Sequence, residues 1–156
     1  MPTPQEDATL KELFAEHASE FSTTGFAKRV EKPWGWELLW TPQNLPYAGK
    51  ILHITQGARL SLQAHDEKQE SWLLLNGQAK VLWDDNLGNL VETELRTDEG
   101  FSCHIGQRHR LVGVSDCDVL EVSTPELGTT YRIEDDYARQ DETEEVRNSP
   151  NRGWKS

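Results

Sequence analysis

The chain has 156 residues, enough for one domain and short of two. Sixteen Lys and Arg against 27 Asp and Glu give a net charge of −11, so phosphate backbones and anionic bilayers are repelled and neither nucleic acid nor membrane is an expected partner. No apolar run approaches the ~18 residues of a membrane span and no leader is evident. Two cysteines, Cys103 and Cys117, make no disulfide framework, so a cytoplasmic location with reduced thiols is expected.

Residues 5–21 place Leu10, Leu13, Phe14 and Phe21 at helical spacing among charges. That predicts a short amphipathic helix lying against something larger, preceded by Pro2 and Pro4 and ended by Thr23-Thr24-Gly25. Packing or dimerisation, without chemistry, is its expected role. From Glu31 the texture changes: Trp34, Trp36, Leu38 and Trp40 recur at the period of a strand. Strands are then expected over 50–55, 71–75, 78–83, 90–95, 101–105, 109–114 and 119–123, each bounded by turn residues. Asn76-Gly77 has the composition of a two-residue hairpin turn, whose central residues need positive φ. Many short strands without long helices between them predict an all-β antiparallel sandwich or barrel. Such a fold suits a chain only 35% hydrophobic, because one strand residue in two has to face inward. Beyond Arg139 the run QDETEEVRNSPNRGWKS has almost no apolar periodicity and predicts a mobile polar tail. The expected organisation is a helical extension over 1–28, a barrel over 29–139 and a tail over 140–156.

The chemistry concentrates between Gly57 and Gly77, GARLSLQAHDEKQESWLLLNG. Gln63 and His65 are two apart, so a strand points both to one side. Glu70 follows at a distance that lets the next strand return beside the first. His109, on a later strand, is a fourth candidate. Two imidazoles, a carboxylate and an amide oxygen form a sulfur-free donor set suited to Zn²⁺, Mn²⁺, Fe²⁺, Co²⁺ or Ni²⁺. The alternative is a hydrogen-bonded polar cluster in a solvated cleft. His17 and His53 are expected to be structural, and His104 is a candidate for a supporting or substrate-facing role.

The spacing G-x5-Q-x-H-x4-E-x6-G from Gly57 to Gly77 resembles the first cupin motif, with glutamine in place of its first histidine. That substitution, the lead-in Lys32-Pro33-Trp34-Gly35-Trp36-Glu37 with Lys50, and the closing Arg132-x-Glu134-Asp135-x-Tyr137-Ala138-Arg139 are similar to the C-terminal cupin domain of type II mannose-6-phosphate isomerases. The resemblance covers roughly residues 29–139. It implies a single cupin jelly-roll barrel and one divalent metal ion, zinc first, held by Gln63, His65, Glu70 and His109. It also implies aldose–ketose isomerisation of a sugar phosphate. Arg139 and Arg132 would take the phosphate, with Lys50 and Lys68 as weaker candidates, and Glu134 or Asp135 would shuttle the proton. A homodimer is the assembly expected by analogy. An ion-pair cluster closing the barrel is the alternative for the terminal Arg and acidic residues.

Three features depart from the family pattern. Ser71 stands where histidine is usual, Ala138 stands where glycine is usual, and the second motif is reduced to Gly100-x5-Gly106-x2-His109. Without a nucleotidyltransferase domain in this sequence, nucleotide sugars are not expected products. The competing functions are another metal cupin enzyme, either a free-sugar isomerase or an Fe-dependent oxygenase, and a non-catalytic sugar-binding cupin.

Overall fold

Apolar residues on alternate strand positions drive the architecture. In strand β3 (Ala48–Ile54) Leu52 and Ile54 are buried, and in β10 (Cys117–Ser123) Cys117 and Val119 are. Period-two burial of this kind can be satisfied only by closing one sheet on another. The computed structural model describes residue 1 and residues 7–155; Pro2 and Pro4 lie outside the described residues.

Two antiparallel sheets result. The first contains β1 (Lys28–Lys32), β2 (Gly35–Leu39), β3, β10, β5 (Glu70–Asn76) and β8 (Phe101–Cys103), in the order β1-β2-β3-β10-β5-β8. The second contains β11 (Thr130–Glu134), β4 (Leu62–His65), β9 (His109–Gly113), β6 (Ala79–Asp84) and β7 (Leu90–Glu94), in the order β11-β4-β9-β6-β7. Ile54, Trp72, Leu74, Val81, Leu111 and Val119 interdigitate between them as the core. The apolar core fills one end of this sandwich, and polar side chains fill the other.

The Asn76-Gly77 hairpin expected from sequence does not form. β5 and β6 belong to opposite sheets, so the dipeptide is the step from one layer to the other. Pairing with the long β10 wins for β5, which lies alongside it from Glu70↔Ser123 to Asn76↔Asp118. Gly77 keeps the positive φ that the dipeptide signalled, at +75°. A Cβ there would lie 2.2 Å from the Asp116 carbonyl oxygen and 2.8 Å from Cys117 Cα. Gly77→Ala is therefore expected to destabilise the fold by about 2 kcal/mol or more, read as a lower urea midpoint at unchanged m-value.

The N-terminal helix α1 (Ala8–His17) forms, capped by Asp7, whose carboxylate accepts the Leu10 N–H at 3.1 Å. It does not pack as expected: none of its residues is buried, and Phe14 meets Phe21, edge to face at 5.7 Å. The mobile-tail expectation is corrected as well. Backbone bonds between Thr130 and Glu142 tie the chain to β11. A single-turn helix α2 (Glu144–Asn148) follows, and Arg152 is buried against the barrel. The charges that made this segment look solvated are instead the counter-charges of buried carboxylates.

Candidate metal centre and the cavity beside it

His65 ends β4, His109 begins β9 and Glu70 begins β5, so the cluster bridges the two sheets. This differs from the return of one strand beside the other expected from sequence, because β4 and β5 lie in opposite layers. Gln63 is paired with His109 across β4 and β9, which brings its amide to the same place. Glu70 Oε1 lies 2.7 Å from His109 Nε2 and 3.2 Å from His65 Nε2. The ligand atoms of His65, Glu70 and His109 all lie within 4.8 Å of one another, and all three residues are buried.

The arrangement fits a divalent cation on several counts. His109 Nδ1 lies 3.0 Å from the Gln107 carbonyl, to which it can donate, and His65 Nδ1 is held 3.0 Å from Thr130 Oγ1. Fixing Nδ1 in this way leaves each Nε2 for the centre, the usual outer support of a metal-bound imidazole. Burial lowers the pKa of His65, keeping it in the neutral form that ligates. Glu70 Oε2 is buried and accepts no hydrogen bond; the Lys68 ammonium, 2.6 Å away, meets it at an angle that makes none. A buried carboxylate and two buried imidazoles whose ligand atoms converge make a donor set that suits a divalent cation. The Gln63 amide turns its nitrogen to His109 Nε2 at 3.4 Å and its oxygen to Ser61 Oγ at 2.7 Å, so ligation through oxygen requires the amide to turn over.

Two departures from the family pattern are harmless here. Ser71 points out of β5 and bonds Ser102 Oγ at 2.8 Å, on the face away from the cluster. The short loop before His109 is braced by the Gly106 N–H donating to the His65 carbonyl at 2.8 Å, and His109 is only 2% exposed. The third departure costs some strain: Ala138 takes φ +52°, the conformation for which glycine is suited.

His65 and Gln63 line a cavity of about 60 Å³ with charged walls, while Glu70 and His109 line a smaller one beside it. Lys50, Lys68, Arg132 and Arg139, the candidates for substrate binding, all line the larger one. Asp135 stands behind Arg139 and grips it through two bonds, Nη2 to Oδ1 at 2.6 Å and Nε to Oδ2 at 3.0 Å. Glu134 does not reach the cavity: its side chain is 62% exposed and pairs with Arg110 at 3.2 Å. Parity alone would put Glu134 on the face of Arg132; the irregularity in the β11–β4 register between Arg132 and Glu134 turns it outward. His104 lies on the surface and bonds Gln69 at 2.9 Å, outside the cavity wall.

Sequence reading missed several members. Glu121 on β10 faces the cluster and bonds Lys68 at 2.7 Å; burial and the neighbouring Glu70 push its carboxyl up. Glu37, Glu126 and Glu142 share the buried Arg152 guanidinium, which reaches Glu126 at 2.7 Å and Glu37 at 3.2 Å. Cys103, a buried thiol, touches His109 Nδ1 at 3.0 Å. The available signal was a charge at an inward position of an otherwise apolar strand, as in GWELL for Glu37 and CDVLEVS for Glu121. Cys117 remains a core thiol, pushed up to about 11 by burial.

These carboxylates make the fold acid-labile. Burial opposes ionisation of Glu37, Glu126 and Glu142 but is outweighed by Lys50 and Lys32 at Glu37, by Lys50 and Arg152 at Glu126, and by Arg152 and Lys32 at Glu142. All three therefore titrate below their unfolded value of about 4.3, and their stabilisation, complete above that value, is lost as pH falls below it. Glu121, raised, acts in the opposite sense. The expected result is a urea midpoint that falls steadily from about pH 5 to pH 3. A midpoint constant over that range would contradict the network.

Two antiparallel sheets closed around a buried His/Glu/His cluster that could hold a metal define a cupin-type barrel. The chain belongs to the family described as mannose-6-phosphate isomerase C-terminal, whose model matches residues 19–142. It is 32% identical over 139 residues to the alginate biosynthesis protein AlgA of Pseudomonas aeruginosa, covering 83% of this chain and 26% of that protein. It is 31% identical over 118 residues to mannose-1-phosphate guanylyltransferase 2 of Escherichia coli O157:H7, covering 74% and 22% respectively. The chain thus spans about a quarter of the length of these relatives. Among solved structures, Bacillus subtilis oxalate decarboxylase, an enzyme with Mn(II) centres, superposes with a TM-score of 0.60 at 15% identity, over 72% of this chain and 33% of that one. That likeness bears out the single cupin barrel. No helix among the described residues is long and apolar enough to cross a membrane.

Proposed function

We propose that the protein is a metal-dependent aldose–ketose isomerase of a sugar phosphate, with mannose-6-phosphate as the first substrate to test. The observation that carries this reading is the His65–Glu70–His109 cluster, whose His65 lines, with Gln63, a cavity walled by Arg132, Arg139 and Lys50. Membership of the isomerase-domain family supports it.

His65, Glu70, His109 and Gln63 would hold the cation, with zinc or manganese the leading candidates. When bound, the cation supplies Lewis acidity against the negative charge that develops on the sugar oxygens. Arg139, whose Nε and Nη2 are fixed on Asp135, would offer its Nη1 to the phosphate, with the charge of Arg132 beside it. Isomerisation removes the C2 proton and delivers one to C1, with a second proton passing from O2 to O1. Glu121 takes over the proton-shuttle role first considered for Glu134 and Asp135. It is buried beside the cluster, and burial with Glu70 nearby holds its carboxyl above the ordinary range, the direction a proton shuttle requires.

The test is to load the protein with Zn²⁺, Mn²⁺, Fe²⁺, Co²⁺ and Ni²⁺ in turn and follow mannose-6-phosphate conversion to fructose-6-phosphate. Turnover with at least one metal is expected, and none with any of them removes this substrate. Oxygen uptake by the Fe²⁺ form would instead indicate an oxygenase.

A further inference from the structure

The cavity beside the metal cluster, at about 60 Å³, holds a few water molecules, whereas sites for small organic ligands run to about 300 Å³ or more. A second cavity of about 490 Å³ lies outside it, between the closing segment 132–140 and the C-terminal segment 146–155. Arg132, Arg139 and Arg152 line both, so three guanidinium groups are their common wall.

Two of these arginines have a donor to spare. The side chains of Arg132 and Arg152 are 6% and 8% exposed. Arg132 spends Nη1 on the Gln140 carbonyl and Nη2 on Glu142. Arg152 spends both Nη atoms on Glu37, Glu126 and Glu142. In each residue the buried Nε–H has no acceptor. An unmet buried donor is costly, and an oxyanion is the acceptor that guanidinium favours most. The rest of the outer cavity suits a ring. Tyr137 and Trp154 meet edge to face at 6.4 Å in its wall, and Arg139 lies 5.4 Å from the Tyr137 centroid. Their faces are apolar surfaces against which the C–H face of a sugar packs, with their polar tips free to bond hydroxyls.

We propose that this outer cleft docks a phosphorylated sugar, with the phosphate on the three arginines and the ring against Tyr137 and Trp154, before the ligand reaches the metal. Val146, Arg152, Trp154 and Lys155, which complete the cleft, lie beyond the residues 19–142 that the family model matches. A ligand moving inward must part the arginines, above all Arg152, from their carboxylates. The identity of the ligand rests on the isomerase reading; the existence of the site does not.

The full chain, stripped of metal with chelator, is titrated calorimetrically with mannose-6-phosphate, mannose and inorganic phosphate. Saturable binding of mannose-6-phosphate is expected, about tenfold or more tighter than inorganic phosphate, with none by mannose. Trp154→Ala is expected to weaken the sugar phosphate about tenfold and to leave inorganic phosphate unchanged. Lys155→Glu, at an exposed position that threatens no packing, is expected to weaken both if the tryptophan variant fails to fold. Absence of mannose-6-phosphate binding overturns the proposal, as does equal affinity for inorganic phosphate or indifference to both substitutions. Binding without turnover in the metal-loaded protein counts against the isomerase reading alone, and turnover without binding to the metal-free form counts against the docking site alone.

Discussion

Glu70→Gln lowers metal affinity by about 100-fold or more, the expected result of removing the one carboxylate from the ligand set, since even outer-shell changes cost 10–100-fold. Glu70 is the right residue to change because both imidazoles converge on its Oε1 and nothing hydrogen-bonds its Oε2. Glutamine keeps the shape while removing the charge, so packing against Trp72 and Leu111 is undisturbed. The measurement is metal content after dialysis, followed by competition with a graded chelator. Parallel His65→Ala and His109→Ala variants should lose metal to a similar extent. If Glu70→Gln binds the cation as tightly as the unaltered protein, the cluster is a hydrogen-bonded polar core and the isomerase reading falls with it. Lys68 provides an internal control: it keeps its 2.7 Å bond to Glu121 in the variant, so the buried ammonium is not left alone.

Arg152→Met is the second large effect, expected to destabilise the fold by about 3–5 kcal/mol, the loss typical of breaking a buried ion pair on one side. The substitution leaves Glu37, Glu126 and Glu142 facing one another with fewer cations between them. Lys50 and Lys32 remain beside Glu37, which keeps the loss finite. The C-terminal segment should detach at the same time, because Arg152 is its buried anchor and α2 has no buried residue. Thermal unfolding reads the first effect as a melting temperature lower by on the order of 10 °C. Limited proteolysis reads the second as new cleavage within residues 143–155. An Arg152→Met protein as stable and as protease-resistant as the parent would show that these contacts are incidental. Asn151 and Arg152 both take positive φ, at 46° and 52°, a conformation costly for non-glycine residues. That the segment holds it indicates how strongly the carboxylates draw the guanidinium inward.

What the sequence determined by itself was local. Period-two patterning marked most of the strands, with edges within a residue or two, because alternation is a property of each strand alone. The Q-x-H-x4-E spacing picked out Gln63, His65 and Glu70, and the structure gathers them with His109 around one point. Gly77 was legible as a positive-φ position for the same local reason.

The tertiary structure decided everything that depends on which strand neighbours which. The Asn76-Gly77 turn was read as a hairpin, yet β5 finds a longer partner in β10 and leaves β6 to the other sheet. Glu70 therefore meets the histidines across the barrel and not along a hairpin. Glu121 and Cys103 join the centre from distant strands, and Glu134 leaves it at the register irregularity that follows Arg132. The C-terminal run looked like a solvated tail because charge in a sequence gives no sign of its partner. Arg152 lies 115 residues from Glu37, and only the fold brings them to 3.2 Å. Electrostatic pairing acts through space, so a one-dimensional pattern records the charges and omits the pairs.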